Sequence, residues 1–440
     1  MLTRMGLILS LLGMSFWLGL SPGPAAAEGD GSWSLSQAIE YAQGHNPAIA
    51  VLESQAEEAR QAKNEAFSSY LPQLILEGGY TRIDNIPSID TPMGSFKMGD
   101  QNNYKIQASL NQVLFASGQV YYANQAVAAQ THATLLQAEA ARLKVAKGVA
   151  EVYLGVLLAQ NVFAAREESL NTARAHLDQV KRRFEAGTAS RFEFLRSQVE
   201  VDNLVPTVSE AGNNVELAKT MLRQLMGLEP EAGLTLSDSL ETGVARVNEA
   251  EFREKAQRGR PELRALSEAR EGAFSLSRSR RGAMLPSVAL FGTYGYQKPY
   301  YFKNEWEKNW TLGIGAKLTL FDGLKSYAGY RQARTKAQTF AHSLAQTRAE
   351  VNTEVTNALL QVQEASTREE TTAQNLGRAG EVVKIAEESY RAGAVTSLEV
   401  IDAELAATNA RIAHLKALYD YRLSRVRLFA AVGDRQEIGR

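Results

Sequence analysis

The chain has 440 residues, 48 basic against 49 acidic, a formal net charge of -1 and no cysteine. That balance excludes the basic surface of a nucleic-acid binder and the acidic block of a charged tail. The absent thiol excludes disulfides, thiolate metal sites, a cysteine nucleophile and a lipidated N-terminal cysteine, so no lipid anchor is expected.

Residues 1–27 read as a secretory signal. Arg4 gives the positive start, Leu7 to Leu20 the apolar stretch, and Ala25-Ala26-Ala27 the small residues before cleavage. The mature chain is expected to begin at Glu28. No later run reaches the roughly 18 consecutive apolar residues of a membrane helix.

Past the signal, landmarks recur in pairs. His45-Asn46-Pro47 answers Gly259-Arg260-Pro261, and Leu71-Pro72 answers Leu285-Pro286, each pair 214 apart. Phe115 and Phe321, like Gly187 and Gly393, stand 206 apart, so eight residues are lost in the hairpin loops. Each early proline suits the first turn of a helix, where its missing N–H is not needed. An internal repeat of this length sets the organisation. The first unit covers 28–227, with a helix, a β-hairpin over 73–115, a long helix over 117–187 and a helix over 188–227. A linker over 228–247 leads to the second unit, 248–440. That unit repeats the plan with a helix, a hairpin over 286–321, a long helix over 323–393 and a helix over 396–432.

After each Leu-Pro pair the period changes to two. Trp310, Leu312, Ile314, Ala316, Leu318 and Leu320 alternate with Thr311, Gly313, Gly315, Lys317 and Thr319. Val288, Leu290, Gly292 and Tyr294 alternate with Ala289, Phe291, Thr293 and Gly295, and segments near 73–83 and 103–115 are less regular. Alternation over about ten residues suits a tilted membrane strand, apolar to lipid and polar to a lumen. Tyr80, Tyr104, Tyr294, Tyr296, Trp306 and Trp310 stand near strand ends, as an interfacial girdle would. A half-buried strand of a soluble protein gives the same alternation; four strands in two repeated hairpins weigh for the membrane.

No proline interrupts Gly118 to Gly187 or Gly323 to Gly393. A helix of ~70 residues spans on the order of 100 Å. Val149, Val156, Phe163, Leu170, Leu177 and Phe184 fall seven apart, beside Val145, Val152, Ala159, Ala173 and Val180. Val355, Val362, Leu376, Val383 and Tyr390 repeat the set, interrupted by Glu369. Such periods mean packing in a coiled-coil-like array, in a soluble coiled coil as well as in a channel. The fold class is therefore α+β, mostly α. Four strands cannot close a barrel, because their edge groups would meet hydrocarbon at several kcal/mol each. The chain must assemble with copies of itself.

The two helix-helix turns are the most specific segments: Arg183-Phe184-Glu185-Ala186-Gly187-Thr188-Ala189-Ser190-Arg191-Phe192-Glu193 and Ser389-Tyr390-Arg391-Ala392-Gly393-Ala394-Val395-Thr396-Ser397-Leu398-Glu399. With the signal and the duplicated plan, they make the chain resemble the TolC family of outer-membrane efflux and secretion channels. The resemblance implies a homotrimer whose twelve strands form one transmembrane barrel, continued by a helical barrel in the periplasm. It implies outer-membrane lipid, a periplasmic adaptor (membrane fusion) protein and an inner-membrane pump of RND or ABC type as partners. Phe184, Gly187, Thr188, Ser190, Gly393, Ala394 and Thr396 would then form the docking tip. Glu399, Asp402 and Glu193 match an acidic entrance, and Tyr390 matches the family's tyrosine. The family's locking arginine is replaced by Val395.

No catalytic or cofactor motif emerges. His45, His132, His176, His342 and His414 are scattered without metal-ligand spacing and read as surface or packing residues. Gly313-Ile314-Gly315 lies in a strand with no following helix to bind phosphate. A channel, with neither enzyme activity nor cofactor, is expected. The competing reading is an envelope-spanning structural coiled coil or adaptor; an adaptor carries one helical hairpin, and this chain carries two.

Overall fold

The computed structural model describes residues 32–92, 94–97, 99–240, 249–300 and 303–439. The signal segment and residues 241–247 of the expected linker lie outside the described residues. Strand β1 (Ser32–Trp33) leads into helices α1 (Leu35–His45) and α2 (Pro47–Ser68). Strands β2 (Gln73–Arg82), β3 (Ser88–Thr91), β4 (Gly94–Lys97) and β5 (Asn102–Phe115) precede α3 (Gln119–Glu185) and α4 (Arg191–Met226). Then come β6 (Thr235–Leu236), α5 (Glu249–Gly259), α6 (Pro261–Gly282), β7 (Ser287–Lys298) and β8 (Glu307–Lys317). Helices α7 (Lys325–Arg391), α8 (Ser397–Val432) and α9 (Arg435–Ile438) complete the chain.

The larger helices match in length two by two. There are 11 residues in α1 and α5, 22 in α2 and α6, 67 in α3 and α7, and 36 in α4 and α8. Helices α1 and α5 were not expected. The chain breaks at Asn46 and Arg260, both extended as residues before proline must be, and restarts at Pro47 and Pro261. The sequence signal for α1 is a capping box: Ser34 accepts from the Gln37 N–H, and the Gln37 side chain accepts from the Ser34 N–H.

Other boundaries differ from the sequence reading. Helices α2 and α6, expected to run from Pro47 and Pro261 to the Leu-Pro pairs, stop short of them at Ser68 and Gly282. The long helices start at Gln119 and Lys325, after left-handed Gly118 and Leu324. Strand β8 ends at Lys317, opposite Ser287, so Leu318 and Leu320 fall outside it. The residue before Ser287 is Pro286, which has no N–H to extend the ladder.

Strands β2, β5, β7 and β8 form one antiparallel sheet in that order, and β3 pairs only with β4. The register puts successive residues on opposite faces. One face carries Leu74, Leu76, Ile106, Leu110, Leu290, Tyr294, Trp310, Leu312 and Ile314. The other carries Gln73, Glu77, Lys105, Gln107, Ser109, Thr293, Asn309 and Thr311, with Ile75, Val113, Ala289 and Phe291 as its apolar members. Phe291 lies against Gly313, where a β-carbon would sit 2.7 Å from the ring. Among the described residues nothing covers the apolar face: Trp310, Leu312 and Ile314 are 70%, 65% and 68% exposed.

Helix α3 packs on α4, α6 and α8, and α7 on α6 and α8. The largest core joins α1, α3, α4 and α8 through Leu35, Ile39, Val149, Tyr153, Val156, Leu222 and Met226. A second core joins α5, α6, α7 and α8 through Leu263, Val351, Val355, Tyr421 and Leu428. Helix α3 contains an 18-residue stretch of mean hydropathy 1.4, enough by composition to cross a membrane. Val149, Tyr153, Leu154, Val156 and Leu157 of this helix belong to the main core.

The described part of the linker is more than a connection. Leu234 and Leu240 are buried in the main core, and β6 pairs in parallel with β1. Asp238 accepts from the Leu35 N–H at 2.8 Å and from the Tyr153 hydroxyl at 3.0 Å. The same hydroxyl lies 2.7 Å from the Trp33 carbonyl, so the two acceptors share one donor.

Candidate functional site

The ends of α3 and α7 remote from the sheet form two alike turns. In the first, Gly187 has φ +75°, and the N–H groups of Thr188 and Ala189 donate to the Arg183 carbonyl at 2.8 and 3.2 Å. In the second, Gly393 has φ +75° and the Ala394 N–H donates to the Ser389 carbonyl at 2.8 Å. These bonds satisfy carbonyls that the helix end would otherwise orphan, and glycine takes the left-handed turn without a β-carbon penalty. Nothing lies within 4 Å of where either β-carbon would stand. Thr188 adds a hydroxyl bond to the Arg183 carbonyl at 3.0 Å.

Each turn is closed by the next helix's cap. The Ser190 hydroxyl accepts from the Glu193 N–H at 3.1 Å, and the Glu193 carboxylate accepts from the Ser190 N–H at 3.4 Å. Glu399 accepts from the Thr396 N–H at 2.9 Å and from its hydroxyl. Those bonds hold the Glu399 carboxyl below the usual carboxylate range. Glu193 and Glu399 thus serve their own helix ends, whereas exposed Asp402 has no such engagement. The reciprocal Ser/Thr-x-x-Glu spacing is the signal that would have revealed this from sequence.

Between the turns lies a polar cluster. Arg183 donates to the Tyr390 hydroxyl at 2.6 Å and stacks over its ring. The Tyr390 ring meets that of His176, centroids 5.8 Å apart, and His176 Nε2 is 2.7 Å from the Ser397 hydroxyl. Tyr390 and His176 are each 8% exposed and Ser397 2%. Burial pushes the Tyr390 hydroxyl up and the His176 imidazole down from their ordinary values, with Glu193 acting on both. Sequence reasoning placed Tyr390 at the tip but left His176 among the scattered histidines; its Ser397 partner is 221 residues away. Phe184 stacks on Phe194 at 5.5 Å, and Phe192 and Leu398 stay exposed around the turns.

About two turns further from the tip, a groove of about 290 Å³ opens between α3, α7 and α8, lined by Glu168, Thr172, Glu387, Glu404, Thr408 and Arg411. Arg411 pairs with Glu168. Burial, with Glu387 and Glu200 nearby, pushes the Glu404 carboxyl up to about 7. Among the described residues no three His, Asp or Glu side chains could hold a metal ion.

The profile of the outer membrane efflux proteins matches residues 38–228 and 252–434, most of both halves of the chain. The chain belongs to that family. Among curated relatives, this efflux protein is 24% identical to the alkaline protease secretion protein AprF of Pseudomonas aeruginosa over 87% of this chain and 81% of the relative. It is 23% identical to the outer membrane protein TolC of Vibrio cholerae, covering 92% and 91%. Its fold is that of solved outer-membrane channels. The Campylobacter jejuni CmeC channel superposes with a TM-score of 0.79 at 19% identity, covering 91% of this chain and 85% of that one. The open-state MtrE channel of Neisseria gonorrhoeae gives 0.77 at 19%, covering 91% and 88%.

The efflux protein is thus an outer-membrane exit channel with a TolC-like fold, and its family is made up of channels. Its sheet and its helical tip lie at opposite ends of helices that, at 67 residues, run on the order of 100 Å.

Proposed function

We propose that three protomers share one twelve-stranded membrane barrel and one periplasmic helical duct, each contributing the four-stranded sheet and both helical hairpins. A periplasmic adaptor and an inner-membrane pump of RND or ABC type supply the substrate, which the duct conducts passively outward. The equal helix lengths support two duplicated units, 28–227 and 248–440, after a signal over 1–27 and around a linker over 228–247. The turns at Gly187 and Gly393, with Phe184, Thr188, Ser190, Ala394 and Thr396, dock the adaptor. Glu399, Asp402, Glu193 and Tyr390 line or hold the entrance.

The observation that carries this reading is the open sheet, apolar on one face, whose edge strands β2 and β8 have no further strand paired to them among the described residues. In a bilayer those edges need partners, and only copies of the same sheet supply them with closure. Eight strands would leave an interior filled by side chains, and twelve leave a lumen.

The chain has no cysteine, so introduced thiols report without background. Cysteines at Ile75 and at Thr311, facing the same side on the two edge strands, should yield disulfide-linked trimers after oxidation in membranes. A shift of the cysteine along β8 accommodates an unknown stagger. If a scan along β8 gives only monomers, the shared barrel is wrong.

A further inference from the structure

The charges of the sheet are sorted by face and by end. Its two acidic residues, Glu77 and Glu307, both lie on the polar face, with Lys105 and Lys317. The apolar face carries three cations, Arg82, Lys298 and Lys308, and no acid. All three stand at the end of their strands remote from the helices: Arg82 ends β2, Lys298 ends β7, and Lys308 is second in β8. The helix-side end of this face has none. Among the described residues none of the three forms an ion pair.

Aromatic rings fill the space between them. Tyr80 and Tyr104 are cross-strand partners with centroids 5.0 Å apart, and Trp306 follows at 6.0 Å from Tyr104. Tyr104 pairs with Lys298, Tyr296 with Lys308, and Tyr294 with Trp310. Rings of this kind settle at the level of lipid headgroups, and lysine and arginine beside them reach out to phosphate. The cations of this face occur at one end only, which in the proposed orientation is the outer leaflet.

We propose that this rim binds a phosphorylated glycolipid headgroup of the outer leaflet, its phosphates held by Arg82, Lys298 and Lys308 and its sugars resting on Tyr80, Tyr104 and Tyr296. The inference rests on the membrane-barrel reading above. At ~4.8 Å per strand the three cations span on the order of 14 Å, wide enough for a headgroup with more than one phosphate. The chemistry is also directional: phosphate accepts from arginine in a bidentate fork and from lysine as a point charge.

The test uses the full-length protein in detergent micelles and native mass spectrometry. Diphosphorylated outer-leaflet glycolipid should be retained in preference to the same lipid after phosphatase treatment. Arg82→Ala/Lys298→Ala/Lys308→Ala should lower retention by about 100-fold, near fivefold per cation. Lys105→Ala/Lys317→Ala, on the polar face, should leave it unchanged. Equal retention of both lipids by the wild type, equal loss in the two variants, or displacement by inorganic phosphate in millimolar excess would each overturn the inference. Insertion into phosphatidylcholine vesicles separates this failure from that of the barrel. A protein that inserts but shows no preference refutes the lipid site alone, and one that enters no vesicle refutes both.

Discussion

Arg183 and Tyr390 tie the last turn of α3 to the last turn of α7 by a 2.6 Å hydrogen bond and a guanidinium held 5.1 Å from the ring centroid. They belong to different helical hairpins, so the contact opposes any motion that parts the two hairpins at the tip. Tyr390→Phe keeps the ring and removes the acceptor, at a cost of about 1 kcal/mol per protomer. The trimer should still assemble, while resting conductance in planar bilayers should rise. Unchanged conductance would mean that the pair only packs the helices.

His176 and Glu404 give the same region a pH dependence of two opposed signs. His176 is held below its ordinary 6.5 by burial, with Glu193 of α4 opposing that shift and Arg183 of its own helix adding to it; Tyr390 of α7 and Ser397 of α8 complete its surroundings. The unfolded chain therefore binds the proton first, and the packing at His176 weakens as pH falls below about 6.5. Glu404 moves the other way. Its carboxyl is raised from 4.5 to about 7 by burial, so its contribution is present below 4.5 and is lost as pH rises through 7. Glu404→Gln should raise thermal stability at pH 8, by ~1–2 kcal/mol per protomer once solvent screening is allowed for, and change little at pH 4. His176→Gln should flatten the acid limb of the same profile. A Glu404→Gln profile parallel to the wild type at every pH would refute the assignment.

Much of this arrangement was legible in the sequence because it is periodic. The heptad running through Val149, Val156 and Leu170 named residues that are buried, and the alternation from Trp310 to Ala316 named one face of β8. Local chemistry was legible too: Gly187 and Gly393 take the left-handed conformation that their position after a long helix requires. What escaped depends on contacts distant in the chain. Nothing near His176 announces Ser397, and nothing in a Gly- and Glu-rich linker announces that Asp238 will meet Tyr153. The end of β8 escaped for a similar reason, since it is set by Pro286 on the neighbouring strand's approach.

Tyr153 provides a stability test remote from the conduit's entrance. Its hydroxyl is buried against the Trp33 carbonyl and the Asp238 carboxylate. Tyr153→Phe leaves both acceptors with one partner fewer and should destabilise the protomer by roughly 1–3 kcal/mol. Thermal denaturation followed by circular dichroism would read this, and single-channel conductance should stay at the wild-type level. A conductance change would place the linker in the gating machinery.

The proposed acidic entrance can be dissected because its residues are differently engaged. Glu399 is bound to the Thr396 cap, and Asp402 is not. Asp402→Asn should therefore account for most of the loss of cation selectivity and of block by multivalent cations, the effects expected of carboxylates crowded in three copies. Glu399→Gln should instead act on the turn, weakening the cap by about 1 kcal/mol. Reversal potentials in salt gradients distinguish the two. Equal effects would show that Glu399 leaves its cap when the protomers assemble.

The two glycines of the tip test the docking role itself. At φ +75° a β-branched side chain is strained by about 1–2 kcal/mol, and with nothing within 4 Å of either β-carbon position that strain is the whole penalty. Gly187→Val and Gly393→Val should therefore leave trimer assembly and membrane insertion intact, since the two largest cores lie far along the helices from both turns. The strain is large enough to reshape the bonds from Thr188 and Ala394 that set the turn, and with them any surface that a partner hairpin must match. Export with the native adaptor and pump should fall while the trimer persists on a seminative gel. Normal export would reduce the turns to connections, and loss of the trimer would move them into the packed assembly. A second-site change in the adaptor's own hairpin that restores export to either variant would show direct contact at these two turns.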